Sequence, residues 1–398
     1  MTSAARCHRP CKIAGMKPRW FRAAGVALAV SLFALPSPTR AQHEGFAGQA
    51  SVVLVEVPVT VVHQGRALEG LSAKRFTIFD RGERQEVESF EVLRVEHADP
   101  AGRAGDGAQD GGGRLAARRN FLFLFDLAYA DARSLAGAAS SVERLLAEGL
   151  APGDRVGVGF FSAPRGFRWI VGLTDRREDA VRALALARAM IESDPVRVRE
   201  LLSGWAVPPA VEPSWALPDR EAILAEAGLS GLNRGAAGWP TASVLRTLVR
   251  GLTRIAGDTA GLDGRKYLVH LSYGLPDRTV SGGSPERARV LGLLQEVKRA
   301  CRSAGWAIHS VNLAGLGWGR GSLFMMAADT GGQLFTNSND VGVLVRAMEA
   351  TTRVTYLLTF TPRALEHDGG FHRLEVEVAG LPRGARVVHR PGYYAPKP

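Results

Sequence analysis

Asp126 ends a run of five consecutive apolar residues and is the main candidate for chemistry in this sequence. A short, aromatic-rich apolar run, here residues 121–125, predicts a strand that is buried on both faces. Residues 130–150 then carry apolar side chains at helical spacing, which predicts a helix after a tight turn. Because ligands bind at the carboxyl ends of strands in an open parallel sheet, Asp126 occupies a position where a metal ion or a partner could be held.

The other motifs favour structural roles over catalysis. No G-x-S-x-G, H-E-x-x-H or Cys–His pair occurs, so hydrolase chemistry has no candidate nucleophile and we predict a protein that is not an enzyme. The glycine-rich stretch 315–321 does not match G-x-G-x-x-G and is interpreted as a flexible loop. His367, Asp368 and His372 surround the turn sequence HDGG, which favours a solvated turn over a metal site. His270 lies in a predicted buried strand and is interpreted as a core residue.

The first 41 residues have the composition of a secretory signal peptide. Basic residues precede an apolar run at 23–36, and the small-residue sequence TRA at 39–41 ends the segment. The run is short for a transmembrane span, so a membrane anchor is the weaker alternative. We expect cleavage after Ala41, with Met16 as an alternative start. The exported chain would then be periplasmic or extracellular, with no membrane span after signal removal.

Removal of this segment changes the charge and the cysteine content. The 398-residue chain has 50 Lys and Arg against 39 Asp and Glu, a net charge of +11. Seven of the basic residues precede position 42, which leaves 43 against 39, or +4. No concentrated basic face is expected, so nucleic acid is not an expected partner. Cys7 and Cys11 leave with the signal, and Cys301 then has no partner for an internal disulfide.

The rest of the chain has β-rich ends around a centre of alternating strands and helices. Residues 50–97 alternate apolar and polar positions and predict about four strands, with turns at HQGR and DRGE. Residues 98–118 are rich in Gly, Ala and Asp and predict a flexible linker. The β alternation returns in residues 353–398. We predict that the two end segments pack together as one β-sandwich-like unit.

The centre, residues 119–352, predicts an α/β fold with a doubly wound, mostly parallel sheet. The expected strands are 121–125, 155–161, 168–173, 267–271 and 307–313. The expected helices are 132–148, 177–189, 242–255, 285–304, 323–329 and 340–352. Because only a short turn separates the second strand from the third, we expect one antiparallel edge hairpin.

An insertion at residues 192–240 interrupts this pattern. It contains six prolines and three tryptophans, and an irregular segment of this length beside a sheet is often functional. Trp205, Trp215 and Trp239 are therefore candidate partner-binding residues. The equally weighted alternative is that the insertion caps apolar surface.

The order of these elements resembles a von Willebrand factor A (VWA) domain. An apolar strand ending in Asp126 precedes an edge hairpin, Thr241 opens a helix, and the strand KYLVHLSYG is followed by AADTGGQLF before the last helix. The flanking sequences VEVPVTVVHQGRALEGLSAKRFTIFDRGERQEVESFE and TYLLTFTPRALEHDGGFHRLEVEV…RPGYYAP resemble the ends of an exported VWFA-related family found mainly in Acidobacteria. The resemblance covers nearly the whole chain after the signal and implies a VWA-like fold.

The resemblance also implies a metal site at Asp126 and Thr241. Active VWA domains hold Mg²⁺ or Mn²⁺ through Asp-x-Ser-x-Ser, a distant Thr and a later Asp, which together supply hard oxygen ligands. In this chain Ala128 and Ala130 replace the two serines, and Tyr273 aligns with the later Asp. The site is therefore degenerate, and we expect it to be metal-free or to bind metal weakly.

Two functions follow from this comparison. The first is an exported, non-enzymatic protein–protein interaction module that binds an unknown protein partner in the cell envelope and needs no cofactor. The alternative is an Mg²⁺- or Mn²⁺-dependent, adhesion-type module in which Asp126 and Thr241 still hold the ion. Asp131 and Asp277 could supply further ligands in that case, although their spacing does not match the motif.

Overall fold

The computed structural model describes residues 53–95, 118–148, 150–151, 153–203, 240–276, 279–280, 285–315, 319–363, 367 and 369–396. The described residues belong to one compact unit, Val52–Pro398. The predicted signal peptide and nearly all of the predicted linker lie outside these ranges. Trp205, Trp215 and Trp239 also lie outside them, together with Asp277 and Asp368.

The N-terminal segment forms five strands, one more than the sequence pattern predicts. They are β1 (Val55–His63), β2 (Arg66–Ala67), β3 (Phe76–Asp80), β4 (Glu83–Gln85) and β5 (Ser89–Arg94). Two-residue turns join β1 to β2 and β3 to β4, and both residues of each turn, Gln64–Gly65 and Arg81–Gly82, have positive φ. Turns of this kind match the twist of antiparallel strands. The turns predicted at HQGR and DRGE are confirmed.

The central sheet is mostly parallel. Its strands are β6 (Arg119–Asp126), β7 (Arg155–Ser162), β8 (Gly166–Thr174), β9 (Arg265–Ser272), β10 (Trp306–Asn312) and β11 (Leu334–Phe335). The strand order is β11-β10-β9-β6-β7-β8, and only β8 is antiparallel to its neighbour. This confirms the predicted edge hairpin and the parallel centre.

Helices cover both faces of this sheet. Those described are α1 (Ala132–Glu148), α2 (Arg177–Ile191), α3 (Pro195–Ser203), α4 (Thr241–Asp258), α5 (Pro285–Ser303), α6 (Arg320–Ala328) and α7 (Val341–Thr351). All eight residues of β6 are buried. Phe121, Phe123 and Phe125 pack against the side covered by α1, α2 and α7. Leu122 and Leu124 pack against α4, α5 and α6, which explains the continuous apolar run in the sequence.

Helix α3 lies within the predicted insertion and was not expected as a helix. Pro195 occupies its first position, where a proline loses no helical hydrogen bond. The Asp194 carboxylate accepts a hydrogen bond from the Arg197 N–H at 2.9 Å and so satisfies one free donor of the first turn. Val198 and Leu202, four residues apart, face the core. None of the described helices combines the length and apolar character needed to cross a membrane.

The C-terminal segment supplies β12 (Val354–Phe360), β13 (Phe371–Val378), β14 (Arg386–His389) and β15 (Gly392–Tyr394). One antiparallel sheet has the order β14-β1-β12-β5, with β2 beside β1, and the other has the order β15-β13-β3-β4. Each sheet therefore contains strands from both ends of the chain. Val55 pairs with Phe360 and Val59 with Tyr356, which confirms that the two end segments pair.

These two sheets share one hydrophobic core. Phe76 from one sheet contacts Tyr356 from the other, with 5.1 Å between ring centroids. Phe360 and Tyr393 form a second contact of this kind at 6.3 Å. We refer to strands β1–β5 and β12–β15 as the sandwich, and to residues 119–352 as the α/β domain. The mixed α/β arrangement is compatible with the VWA-like fold that the resemblance implies.

A buried ion cluster lies where the α/β domain begins and ends. Arg119 bonds both oxygens of Asp154, at 3.0 and 2.6 Å, and also bonds Glu349 at 3.1 Å and Thr352 at 3.0 Å. Burial is the largest influence on the Arg119 guanidinium, yet the two carboxylates raise its pKa above the usual value. Arg353 makes a second set of bonds to Glu349. The cluster ties the first strand of the domain to its last helix.

The prediction of a solvated turn is wrong for His372. This residue is 1 % exposed and lies on the inward face of β13 with Leu374 and Val376. Its Nδ1 lies 3.0 Å from the Tyr393 hydroxyl, which donates a hydrogen bond to Asp80 at 2.7 Å. The imidazole is thus part of the sandwich interior. His367 is exposed, as a turn requires.

Candidate functional site

Asp126 is the last residue of β6 and lies at the carboxyl edge of the central sheet, between β9 and β7. Its side chain is almost fully buried, with 2 % of the residue exposed. A buried carboxylate is stable only if its oxygens are paired with donors or with a cation. The partners of Asp126 therefore determine what this position can do.

The protein itself supplies four hydrogen bonds to the Asp126 carboxylate. Oδ1 accepts the backbone N–H groups of Ala128 at 3.0 Å and Tyr129 at 3.1 Å. Oδ2 accepts the Ser272 hydroxyl at 2.6 Å and lies 3.2 Å from His270 Nε2. Both backbone donors belong to the turn between β6 and α1. Each oxygen has two partners, the number that its lone pairs accommodate.

Strand register brings His270 and Ser272 to Asp126. The two residues are separated by one position on β9, so their side chains share one face of the sheet. Leu124 pairs with His270 across the β6–β9 ladder, which leaves Asp126 level with Ser272 on the same face. His270 and Ser272 are 4 % and 0 % exposed. The interpretation of His270 as a buried residue is confirmed, but its contact with Asp126 was not predicted.

The three positions at which the metal motif is lost have structural roles instead. Ala128 is buried and packs into the core on the α4–α6 side. Ala130 packs at the margin of the core on the α1 side. The Tyr273 hydroxyl shares a 2.7 Å hydrogen bond with the Ser134 hydroxyl. Asp131 is also engaged, because its carboxylate accepts the Ser134 N–H at 2.9 Å and so caps the first turn of α1.

Thr241, the other expected ligand, lies near the Tyr129 side chain. Burial of Tyr129, and then the charge of Asp126, raise the pKa of the Tyr129 phenol well above its usual value, and the Thr241 side chain partly offsets this. The phenol therefore stays protonated and can donate a hydrogen bond. Tyr129 thus interacts with both residues that the resemblance assigns to the metal.

Two buried donors at this edge have no hydrogen-bond acceptor of regular geometry within the described ranges. They are the Tyr129 hydroxyl and the Asn312 amide nitrogen. Asn312 pairs in register with Ser272, and its amide oxygen already accepts the Ala314 N–H at 2.8 Å. Unsatisfied donors attract acceptors, whereas a cation requires several oxygen ligands. These two unsatisfied donors therefore supply no ligands for a cation.

The donor set does not fit an octahedral Mg²⁺ or Mn²⁺ site. It offers one carboxylate whose oxygens are both hydrogen-bonded, one threonine hydroxyl, and a serine hydroxyl that donates to the carboxylate. Such ions need several oxygen ligands with free lone pairs. Within the described ranges, no three His, Cys, Asp or Glu side chains gather in a metal-binding group.

The C-terminal part of the glycine-rich stretch, from Gly319 onward, packs against this edge. Gly319 has φ +80°, and a Cβ there would lie 1.8 Å from the Tyr273 carbonyl oxygen. Only glycine permits this backbone contact. Ser322, in the first turn of α6, accepts the Leu275 N–H at 2.8 Å and so joins the helix to the same loop. Residues 316–318 lie outside the described ranges.

Comparisons with known proteins assign no family. No protein-family model matches the chain, and no curated protein matches it in sequence. The solved structures that resemble it include the conserved hypothetical protein BatB from Bacteroides thetaiotaomicron, with 13% identity, a TM-score of 0.31, and coverage of 60% of this chain and 98% of that one. The pilus adhesin SpaC from Lactobacillus rhamnosus GG shows 12% identity and a TM-score of 0.32, over 81% of this chain and 48% of that one. The human COPII-coat protein Sec24c shows 12% identity and a TM-score of 0.30, over 71% of this chain and 44% of that one. Similarity at this level assigns neither family nor function.

Proposed function

We propose that this protein is an exported, non-enzymatic protein–protein interaction module, built on a VWA-like domain whose metal site has degenerated. One observation carries the proposal: the carboxylate of Asp126, where the resemblance expects a metal ligand, gives both oxygens to four donors of the protein. This arrangement supports an interaction surface that does not use a bound ion at this position.

Ion binding would have to displace existing hydrogen bonds. A cation at Asp126 would compete with the Ser272 hydroxyl and His270 Nε2, both of which are buried. A buried donor that loses its acceptor costs about 1–3 kcal/mol, and Mg²⁺ gives up its own water reluctantly. With two motif serines replaced by alanine, few new ligands would offset that loss.

The same geometry argues against catalysis at this edge. Ser272 and His270 each bond to Asp126, whereas a nucleophilic serine must be hydrogen-bonded to its general base. Ser272 is 0 % exposed, so a substrate has no access to its hydroxyl in this arrangement. The group is a buried polar network that links β6 to β9.

The metal-dependent adhesion module is the competing proposal, and one experiment separates the two. The exported chain, residues 42–398, would be immobilised and incubated with the native envelope fraction in EDTA or in Mg²⁺. We expect the same partner protein to be retained in both buffers, and equally by a Thr241→Ala variant. Thr241→Ala is the matched variant because it removes a metal ligand without touching the bonds of Asp126. Retention that needs Mg²⁺ and is lost in Thr241→Ala supports the adhesion module, and no specific retention in either buffer contradicts both.

Export is the other part of this proposal and rests on the order of basic, apolar and small residues before position 42. N-terminal sequencing of protein recovered from the periplasm or the medium should find Gln42 first. An intact terminus at Met1 or Met16 in that material contradicts cleavage after Ala41.

A further inference from the structure

A groove of about 780 Å³ lies between the α/β domain and the sandwich. Residues of α6, α7 and β14 line it. Strand β11 and the residues that follow it line the base. The groove is distinct from the candidate site, because its lining includes none of the residues that bond to Asp126.

Two sheet edges border this groove. Strand β11 is the last strand of the central sheet, and β14 is the last strand of its sandwich sheet. All four residues of β14, Arg386–His389, line the groove. An edge strand carries backbone N–H and C=O groups that can pair with a further strand. A segment lying in the groove would thus meet a row of backbone donors and acceptors.

Two exposed apolar side chains occupy the same groove. Phe324 on α6 is 58 % exposed, and Val343 on α7 is 45 % exposed. Single exposed apolar residues are ordinary on protein surfaces. Here both line the same groove as β14, where they would contact the side chains of an added strand.

The charge of the groove is positive. Arg320 and Arg386 line it, and none of its lining residues is Asp or Glu. Neither arginine makes an ion pair with any described carboxylate. Unpaired guanidinium groups at an open surface favour a partner with carboxylates, because carboxylate and guanidinium bond through complementary forks.

We propose that this groove binds an extended peptide segment of a partner protein, with alternating apolar and acidic side chains, by strand addition to β14. The proposal rests on the interaction function above and names its surface and partner chemistry. Backbone hydrogen bonds to β14 supply affinity that is independent of sequence, as in other cases of β-augmentation. The side chains supply specificity, because apolar residues of the added strand would contact Phe324 and Val343 and its acids would pair with Arg320 and Arg386.

Fluorescence anisotropy with synthetic peptides tests this proposal on the exported chain. The probe is a labelled eight-residue peptide of alternating valine and glutamate. One control replaces glutamate by lysine, and another keeps every side chain but N-methylates alternate amides, which blocks strand pairing. We expect saturable binding of the first peptide alone. An Arg320→Glu and Arg386→Glu double variant should weaken it about tenfold or more. The control variant Arg254→Glu, which alters an exposed arginine at the end of α4, should change it less than about twofold.

Three results would overturn the proposal: no binding of the valine–glutamate peptide, equal binding of the lysine or N-methylated peptide, or an unchanged affinity in the double variant. Sedimentation that shows a dimer abolished by the double variant would assign the groove to a second copy of the chain and overturn it as well. The envelope experiment separates this failure from failure of the proposed function. If the double variant still retains the envelope partner, the interaction function stands and only the groove assignment is lost.

Discussion

Ser272 and Asp126 end adjacent parallel strands, and the Ser272 hydroxyl donates a 2.6 Å hydrogen bond to Asp126 Oδ2. Two neighbouring carboxylates at a sheet edge repel each other and need a cation between them. A hydroxyl and a carboxylate need none, because the hydroxyl donates directly. The pair therefore joins the ends of β6 and β9 by a direct hydrogen bond.

Replacement of Asp126 should destabilise the fold more than replacement of a capping aspartate nearby. We expect Asp126→Ala to lower the free energy of unfolding by about 3 kcal/mol, because buried donors at Ala128, Tyr129 and Ser272 lose their acceptor. Asp131→Ala is the matched control, since it removes only an exposed helix cap and should cost about 1 kcal/mol. Urea unfolding measures both values. Equal losses in the two variants would show that the network around Asp126 contributes nothing beyond a cap.

Added Mg²⁺ should leave the melting temperature unchanged. An ion that binds only the folded state raises stability by RT ln(1 + c/Kd), where c is the ion concentration, so a site with few free ligands and a Kd far above millimolar gives no shift at millimolar concentration. Calorimetry in EDTA and in Mg²⁺ tests this for the native chain and for Thr241→Ala. A melting temperature that rises in Mg²⁺ for the native chain but not for Thr241→Ala would favour the adhesion module.

The triple variant Ala128→Ser, Ala130→Ser, Tyr273→Asp is a useful comparison. It restores the motif, so its melting temperature should rise when Mg²⁺ is added.

The free energy of unfolding should decrease in acid because His309 is buried as a neutral ring. Burial, and secondarily the nearby charge of Arg265, lower the pKa of His309 to about 3. Its Nδ1 accepts the Gln333 N–H at 3.1 Å, so the folded state keeps the ring neutral. Below about pH 6.5 the unfolded chain binds a proton that the folded chain does not, so the free energy of unfolding decreases as the pH falls from 6.5 toward 3.

The slope from this group approaches about 1.4 kcal/mol per pH unit. A His309→Asn variant isolates it, because the asparagine side-chain oxygen can still accept the Gln333 N–H and does not titrate. Urea unfolding of both proteins between pH 7 and 4.5 should give a shallower pH dependence in the variant. Parallel curves would show that His309 does not titrate in this way.

Adjacent arginines should differ greatly in their contribution to stability. We expect Arg119→Met to cost about 3–5 kcal/mol, because it leaves Asp154 and Glu349 buried without their shared cation. Arg118→Met should cost less than about 1 kcal/mol, since Arg118 pairs with Asp263 at an exposed position. Thermal unfolding of the two variants makes the comparison. Similar losses would contradict a special role for the buried cluster.

Deletion of the C-terminal segment should expose the N-terminal strands. Strand β1 lies between β12 and β14, so deleting residues 353–398 removes both neighbours. Limited proteolysis followed by mass spectrometry should then find cuts within residues 55–94 that the full chain resists. Deletion of 397–398 alone is the control. Resistance of residues 55–94 in the long deletion would show that these strands fold without the C-terminal segment.

The sequence predicted most of the fold because its central strands are continuous apolar runs and its helices have clear periodicity. The helix predicted at 132–148 agrees with α1 at both ends, and the strands agree to within a few residues. Helix α3 was missed because a nine-residue helix with two inward apolar positions gives a weak periodic signal. His372 was misplaced because the neighbouring turn outweighed the alternation FHRLEVEV, which puts it on the inward face.

The candidate site was only partly predictable. Asp126 was found because it ends an apolar strand. The departures from the metal motif at Ala128, Ala130 and Tyr273 were found through the family resemblance. The contact with His270 depends on the register of β6 against β9, which no local pattern encodes. The two-residue spacing of His270 and Ser272 was the available signal, since it puts both side chains on one face. Tyr129 was missed because its role depends on how the turn after β6 folds toward Thr241.

The hydrogen bond between Arg119 and Thr352 has a mechanical consequence. It holds the first and last residues of the α/β domain 3.0 Å apart, atom to atom, although 233 positions separate them. Tension applied to the two ends of the chain would first load the paired strands of the sandwich. The α/β domain, whose two ends meet at this bond, would bear no load and would keep its fold until the sandwich had been pulled open.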